Sequence, residues 1–183
     1  MSDARVYTVN ALLEQISGQF IAFALPRDEI GRVYRAHGFA DRVVQIYANT
    51  WDLDVTSHVP PGSIYLAIID ACHDPEFVVN DFLCVLPALH ETAIVLFHDT
   101  HPSMGKHLRG SYIACMYLRK LGYDVRHIAH TWWGVWQRGR AMRRWSPAAR
   151  TANTVDNWLV RLRGKDPRQD ARIMQWLSRR YQP

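Results

Sequence analysis

Two uninterrupted apolar runs constrain this chain most: Ile64-Tyr65-Leu66-Ala67-Ile68-Ile69 and Ala93-Ile94-Val95-Leu96-Phe97. Apolar, β-favouring residues without alternation are expected of parallel strands covered on both faces. The first run stops at Asp70 and the second at His98-Asp99-Thr100. Between them, Glu76 to Leu89 carries the periodicity of an amphipathic helix. Strand, helix and strand in that order form a crossover unit, so a parallel sheet lies at the centre of the fold.

The flanking sequence extends the alternation. Val6 to Asn10 reads as a short strand, and Ala11 to Ala36 as helix interrupted at Pro26, with the second piece opening near Arg27-Asp28-Glu29. Gly38 ends that helix. Arg42 to Tyr47 is the next strand, followed by the polar Ala48-Asn49-Thr50 and a loop through Pro60-Pro61-Gly62. Ser111 to Leu121 reads as a helix closed by Gly122. Tyr123–His130 and Trp132–Gln137 then read as two antiparallel strands around a tight turn, and the remainder as helix broken at Pro147 and Pro167. The expected fold class is α/β: a Rossmann-like, mostly parallel sheet with helices on both faces, a C-terminal antiparallel β-hairpin, and basic C-terminal helices. The expected division is a domain over residues 1–137 and a basic helical extension over 138–183.

Composition excludes several classes. No run approaches the roughly 18 uncharged apolar residues that cross a membrane, and Met1 to Arg5 carry no secretory pattern. Cys72, Cys84 and Cys115 sit in apolar stretches without CxxC spacing, so they read as buried thiols in a reducing compartment, with the cytoplasm as the expected address. The net charge of +5 is uneven: from Arg138 onward, 11 Arg and one Lys face three Asp. Such a tail can mark a polyanionic partner, but a solvated helix face explains it more simply, and nucleic acid is not the expected partner. Trp145, Trp158 and Trp176 are spaced as helix anchors to a core.

In an open parallel sheet, ligands bind beyond the carboxyl ends of the strands. This chain places Asn10, Asn49-Thr50, Asp70 with His73 and Asp74, and His98-Asp99-Thr100 at those ends. If the two apolar strands are neighbours, Asp70 and Asp99 come close together, and such a carboxylate pair binds a hard cation or shares a proton. His73, three residues past Asp70, is a candidate base beside it. Each residue alone has a structural explanation; Asp74 before Pro75, for example, suits a helix cap. Together they point to a site. His98-Asp99 as the pair of a metal-dependent hydrolase is disfavoured, because such sites sit on helices with several further ligands.

The segment Ile68-Ile69-Asp70-Ala71-Cys72-His73-Asp74-Pro75-Glu76-Phe77 with Val78-Val79-Asn80-Asp81 resembles a motif of class I, S-adenosylmethionine-dependent methyltransferases. Leu86-Pro87-Ala88-Leu89 and Ile94-Val95-Leu96-Phe97-His98-Asp99-Thr100 are similar to its continuation, and Trp132-Trp133-Gly134-Val135-Trp136 to the closing strand of that family. The family includes metal-dependent O-methyltransferases of sugars and natural products and proteins labelled cephalosporin hydroxylase-like. The likeness runs from about Arg5 to Gln137.

The resemblance implies a Mg²⁺-assisted methyl transfer from S-adenosylmethionine to a small hydroxylated acceptor. Asp70, Asp99 and Thr100 would hold the metal, and His73 would deprotonate the acceptor. Asn49 and Thr50 would lie near the adenine, Asn10 near the ribose, with Asp70 also on the cofactor side. Three features differ from the family. The first strand here matches the family's second, and no G-x-G occurs; Asn10 stands where an acid usually binds the ribose; and His90-Glu91-Thr92 replaces a Lys-Gly-Gly turn. Either the sequence starts late relative to its gene or cofactor binding has been lost, and the alternative function is a non-catalytic, truncated interaction module of the same fold. The Pro102–Gly110 loop and the C-terminal helices would set acceptor specificity. An unpaired strand edge near the N-terminus would favour association of copies into a homo-oligomer.

Overall fold

Strand β1 (Val6–Asn10) pairs in parallel with β2 (Val43–Tyr47), Val6 opposite Val43 and Asn10 opposite Tyr47. The computed structural model describes residues 4–16, 25–101, 109–139 and 167–181. Within them the chain forms two compact units, Met1–Pro60 and Pro61–Pro183. Much of the first unit's expected helix, together with Trp145, Trp158 and Pro147, lies outside the described residues. What is described of that helix is a 3₁₀ turn at Leu13–Gln15 and α1 (Arg32–Ala36). Helix α1 starts after Gly31, whose φ of 80° is open to glycine at little cost, and stops before Gly38 at φ 75°. Leu12, Ile30, Ile46, Val55 and Val59 are buried in this unit.

The second unit is built on β3 (Ile64–Ile69) and β4 (Leu89–Phe97), parallel to each other, with Leu66 opposite Ile94 and Ile69 opposite Phe97. The hairpin is antiparallel as expected, though shorter: β5 (Arg126–His127) pairs with β6 (Gly134–Gln137), and β6 pairs with β4. The order is β3-β4-β6-β5. The fold is mixed α/β and Rossmann-like, with a parallel pair extended by an antiparallel hairpin.

Between β3 and β4 runs α2 (Pro75–Val85), which gives way to a 3₁₀ turn at Leu86–Ala88 where Pro87 has no N–H for the helical ladder. The guanidinium of Arg138 donates to the carbonyls of Leu86 (2.9 Å) and Leu89 (2.8 Å), satisfying acceptors that the helix end leaves open. β4 begins at Leu89 and absorbs His90-Glu91-Thr92, which the sequence suggests is a turn; there His90 Nδ1 contacts Thr92 Oγ1 at 2.9 Å.

Helix α3 (Arg109–Lys120) ends at Gly122, whose φ is 96°. Helix α4 (Pro167–Arg180) comes from the basic C-terminal segment and docks in this second unit. Leu177, not Trp176, is its anchor: Leu177 is fully buried, whereas Trp176 is 41% exposed beneath the Arg180 guanidinium. Tyr117 Oη donates to the Tyr181 carbonyl and Tyr181 Oη to the Glu76 carbonyl, tying the C-terminus to α3 and α2.

The core lies on one face of the sheet, where Ile69, Ala93, Val95 and Phe97 meet Val78, Val79, Phe82, Ile113, Ala114 and Leu118. Phe82 is its centre, with ring centroids 4.9 Å from Tyr123, 5.1 Å from Trp136 and 5.6 Å from Phe97. On the opposite face, Leu66, Ile68 and Ile94 are exposed among the described residues, so the apolar run of β3 is covered on one side by this unit. Phe82→Ala removes a fully buried aromatic and should lower the unfolding free energy by about 3–5 kcal/mol, checked by urea denaturation; a loss below about 1 kcal/mol would show that the aromatic cluster is not the centre of packing.

Candidate functional site

The parallel register decides which polar groups meet. Ile69 faces Phe97, and His98 N–H donates to the Ile69 carbonyl at 3.0 Å, so Asp70 lies beside His98 rather than beside Asp99. His98 Nδ1 is 3.0 Å from Asp70 Oδ1 and 3.3 Å from Asp99 Oδ1. Asp99 takes a left-handed conformation (φ 54°), which aspartate tolerates better than most side chains. Its buried carboxylate places Oδ2 2.8 Å from His73 Nε2. Asp70, His73, His98 and Asp99 therefore form one cluster at the C-terminal ends of β3 and β4.

His73 sits in the short loop between β3 and α2. Asp74 is the N-cap residue of α2, although its side chain makes no capping bond, and Pro75 follows at the first position. Gly110 in α3 fixes the loop from beneath: a Cβ there would lie 1.8 Å from the His73 carbonyl oxygen and 2.8 Å from Pro75 Cδ. The ring of Trp133 packs 4.5 Å from that of His98.

The cluster is polar but incompletely satisfied. His73 Nε2 and Asp99 Oδ1 are buried with no aligned hydrogen-bond partner, although His73 Nε2 approaches Asp99 Oδ2 closely. An unmade bond at a buried polar atom costs about 1–3 kcal/mol, so such atoms call for a ligand, a proton or an ion. Cys72, next to His73, does not serve as a nucleophile at neutral pH: burial pushes its thiol up to about 11.

Sequence reasoning brought Asp70, His73 and Asp99 together but left His98 out; β3 and β4 end level, at Ile69 and Phe97, so the first residues beyond them, Asp70 and His98, are neighbours. The hydroxyl of Thr100, expected as a metal ligand, is 3.2 Å from His127 Nδ1 and 3.4 Å from the Trp132 carbonyl, and Gly134 allows the close approach of β6 to it, so it buttresses the hairpin. Two of the expected Mg²⁺ ligands, the Asp70 and Asp99 carboxylates, stand on either side of the His98 imidazole nitrogen; Mg²⁺ is commonly held by one or two carboxylates, with waters completing its octahedron.

Three of the cofactor-side candidates, Asn10, Asn49 and Thr50, lie in the first unit, and Asp70 in the second. Asn10 Oδ1 accepts from Gln45 Nε2 at 3.0 Å and from the Thr8 hydroxyl at 3.3 Å, which leaves the amide nitrogen as the group it can offer a ribose. Asn49 is engaged on both sides, donating to the Gln15 carbonyl and accepting from Trp51 N–H, so it holds the loop that presents the half-buried Thr50. In the second unit, a cavity of about 340 Å³ opens beside Asp74, Pro75, Glu76, Arg172, Ile173 and Trp176, without touching the four clustered side chains.

A methyltransferase domain family matches residues 4–100, just over half of the sequence. The chain belongs to that methyltransferase family. Its fold is similar to that of the O-methyltransferase NovP, at 16% identity and a TM-score of 0.57, covering 76% of this chain and 62% of that one. It is also similar to a Staphylococcus aureus protein assigned to the caffeoyl-CoA O-methyltransferases, at 13% identity and a TM-score of 0.52, covering 74% of this chain and 65% of that one. The chain thus spans just under two thirds of the length of either structure. No protein of curated function matches its sequence.

The half-buried Cys72 thiol gives a test of this environment. Between about pH 9 and 11 an unfolded chain ionises the Cys72 thiol while the folded chain keeps it protonated, so folding holds the extra proton and stability falls as pH rises through that window. Iodoacetamide at pH 9 should modify Cys72 far more slowly in the native protein than in urea, as read by mass spectrometry of the peptide that carries it; equal rates would show an exposed, ionised thiol.

Proposed function

We propose that this methyltransferase transfers a methyl group from S-adenosylmethionine to the hydroxyl of a small molecule, a sugar or natural product, with His73 as the base. The observation that carries the reading is the contact of His73 with the buried Asp99 carboxylate at the ligand-binding edge of the sheet, 2.8 Å between Nε2 and Oδ2. A carboxylate so placed orients an imidazole, favours the tautomer with hydrogen on Nε2, and stabilises the imidazolium that forms when the ring takes a proton. Nδ1 is then the atom with the free lone pair.

S-adenosylmethionine supplies an electrophilic methyl on a positively charged sulfur. The acceptor oxygen forms the new O–C bond as the S–C bond breaks, the sulfur leaves with the electron pair as a neutral thioether, and the hydroxyl proton goes to His73. Charge is dispersed in this step, so catalysis comes chiefly from holding the two reactants in line and excluding water. Asn10 would donate to the ribose and Thr50, on the loop held by Asn49, would lie near the adenine. Asp70, 46% exposed at its side chain, stands at the rim. Asp70 and Asp99 would hold the Mg²⁺ of this reading, and the ion, when bound, would lower the pKa of the acceptor hydroxyl and orient it.

His73→Gln keeps the size and polarity of the side chain and removes the base. Methyl transfer should fall about 10²- to 10⁴-fold, with S-adenosylmethionine affinity unchanged. Turnover that survives the substitution would refute the assignment. The companion Gly110→Ala, which displaces the His73 loop, should lower both thermal stability and turnover, with overpacking worth about 1–3 kcal/mol.

A further inference from the structure

We propose that the cavity between the start of α2 and α4 binds an organic ammonium ion, the amine-bearing end of the acceptor. That the ligand is the acceptor rests on the methyl-transfer reading; that it is a cation rests on the walls of the cavity alone.

The cavity, about 340 Å³, is lined by Asp74, Pro75 and Glu76 at the start of α2 and by Arg172, Ile173 and Trp176 of α4. Its volume lies in the range of small-molecule sites, roughly 300–1,000 Å³. Helix α4 lies beyond residues 4–100, so this wall is the chain's own addition to the matched family segment. The two sides are held together. Leu177 is fully buried, Tyr181 Oη donates to the Glu76 carbonyl at 3.0 Å, and Tyr117 Oη donates to the Tyr181 carbonyl at 2.9 Å. The cavity also neighbours the loop of the proposed base, because Asp74 follows His73 directly and successive Cα atoms are about 3.8 Å apart.

The chemistry of the walls selects the ligand. Pro75, Ile173 and Trp176 offer apolar surface, and Trp176 is 41% exposed although the next residue is fully buried. Its ring holds the Arg180 guanidinium 5.5 Å from the centroid, so the indole is turned where cations reach it. The charged groups of the lining are two carboxylates and one guanidinium. Asp74 stands at the N-cap of α2, yet its side chain makes no capping bond, so the helix does not use that carboxylate. The Glu76 carboxyl is held above its usual range: burial disfavours its charge, Arg180 offsets part of that, and the Asp74 charge adds to it. A cation broad enough to touch both carboxylates and the indole relieves this crowding.

Other ligand classes fit less well. The N-terminus of a helix attracts anions, but here Asp74 and Glu76 already stand there and repel them. A bare metal ion would leave the apolar wall without contacts, and a neutral ring would gain nothing from the two carboxylates. Arg172 is exposed, so water screens its charge. The acceptor class is thereby narrowed to a hydroxylated amine, such as an amino sugar or a phenol with an amine arm, with its hydroxyl toward His73.

The test is calorimetric titration of tyramine, a phenol with a protonated amine arm, into the full chain at neutral pH. Tyrosol, which carries a hydroxyl in place of the amine, and para-hydroxyphenylacetate, which carries a carboxylate, are titrated alongside. The expected result is saturable binding of one tyramine per chain, with tyrosol at least about 5-fold weaker and the carboxylate weaker still. Trp176→Ala and Glu76→Gln should each weaken tyramine at least about 5-fold in chains that circular dichroism shows to be folded. Glu76→Gln should also narrow the gap between tyramine and tyrosol. Should one variant fail to fold, the other decides. No tyramine binding, tyrosol binding as tightly as tyramine, or tyramine binding unchanged in the folded variants would each overturn the proposal. S-adenosylmethionine is titrated separately into the same sample, so a failure of the methyl-transfer reading and a failure of the cation site are read from different ligands.

Discussion

Parallel pairing of β3 with β4 is the constraint on which the site depends. Once Ile69 lies opposite Phe97, the next residues have no freedom to choose neighbours: Asp70 falls beside His98, and the reversal of the chain at Asp99 brings its carboxylate back toward His73. The apolar residues that drive this pairing, Val95 and Phe97 above all, are fully buried against α2 and α3. Hydrophobic burial thus supplies the energy that holds four titratable side chains in a cluster whose own hydrogen bonding is incomplete. That division between a well-packed core and a strained edge is what physical chemistry expects at functional sites.

The same packing fixes His73. Its loop is short, its helix begins at a proline, and Gly110 of α3 passes so close that no side chain fits between them. The hairpin completes the arrangement from the other side, with Trp133 on His98 and with Thr100 bonded to His127 and to the Trp132 carbonyl. Methyl transfer asks for such placement more than for strong acid–base power, since the leaving group is a neutral thioether and the barrier is lowered mainly by alignment.

Legibility in the sequence followed the strength of the periodic signal. The apolar runs of β3 and β4 and the amphipathic α2 between them were readable, and with them the α/β class and the closing hairpin. The hairpin strands were read too long because Tyr123 and His130 have strand-like composition but sit in the turns that flank β5 and β6. The long helix expected from Ala11 onward has short described pieces, and Gly31 in a left-handed conformation interrupts the pattern that a single helix would need. His98 was overlooked as a cluster member because alternation along one strand says nothing about the offset between two strand ends. The contact of Thr100 with His127, 27 residues away on another strand, is one that no local pattern encodes.

The methyltransferase account stands or falls on the cofactor. Calorimetric titration of S-adenosylmethionine into the folded, chelator-treated chain tests it most directly. The account predicts saturable one-to-one binding at micromolar strength, weakened by Asn10→Ala. No heat of binding from a folded sample, at ligand concentrations far above that range, would contradict it and leave the chain a methyltransferase fold without a methyl donor.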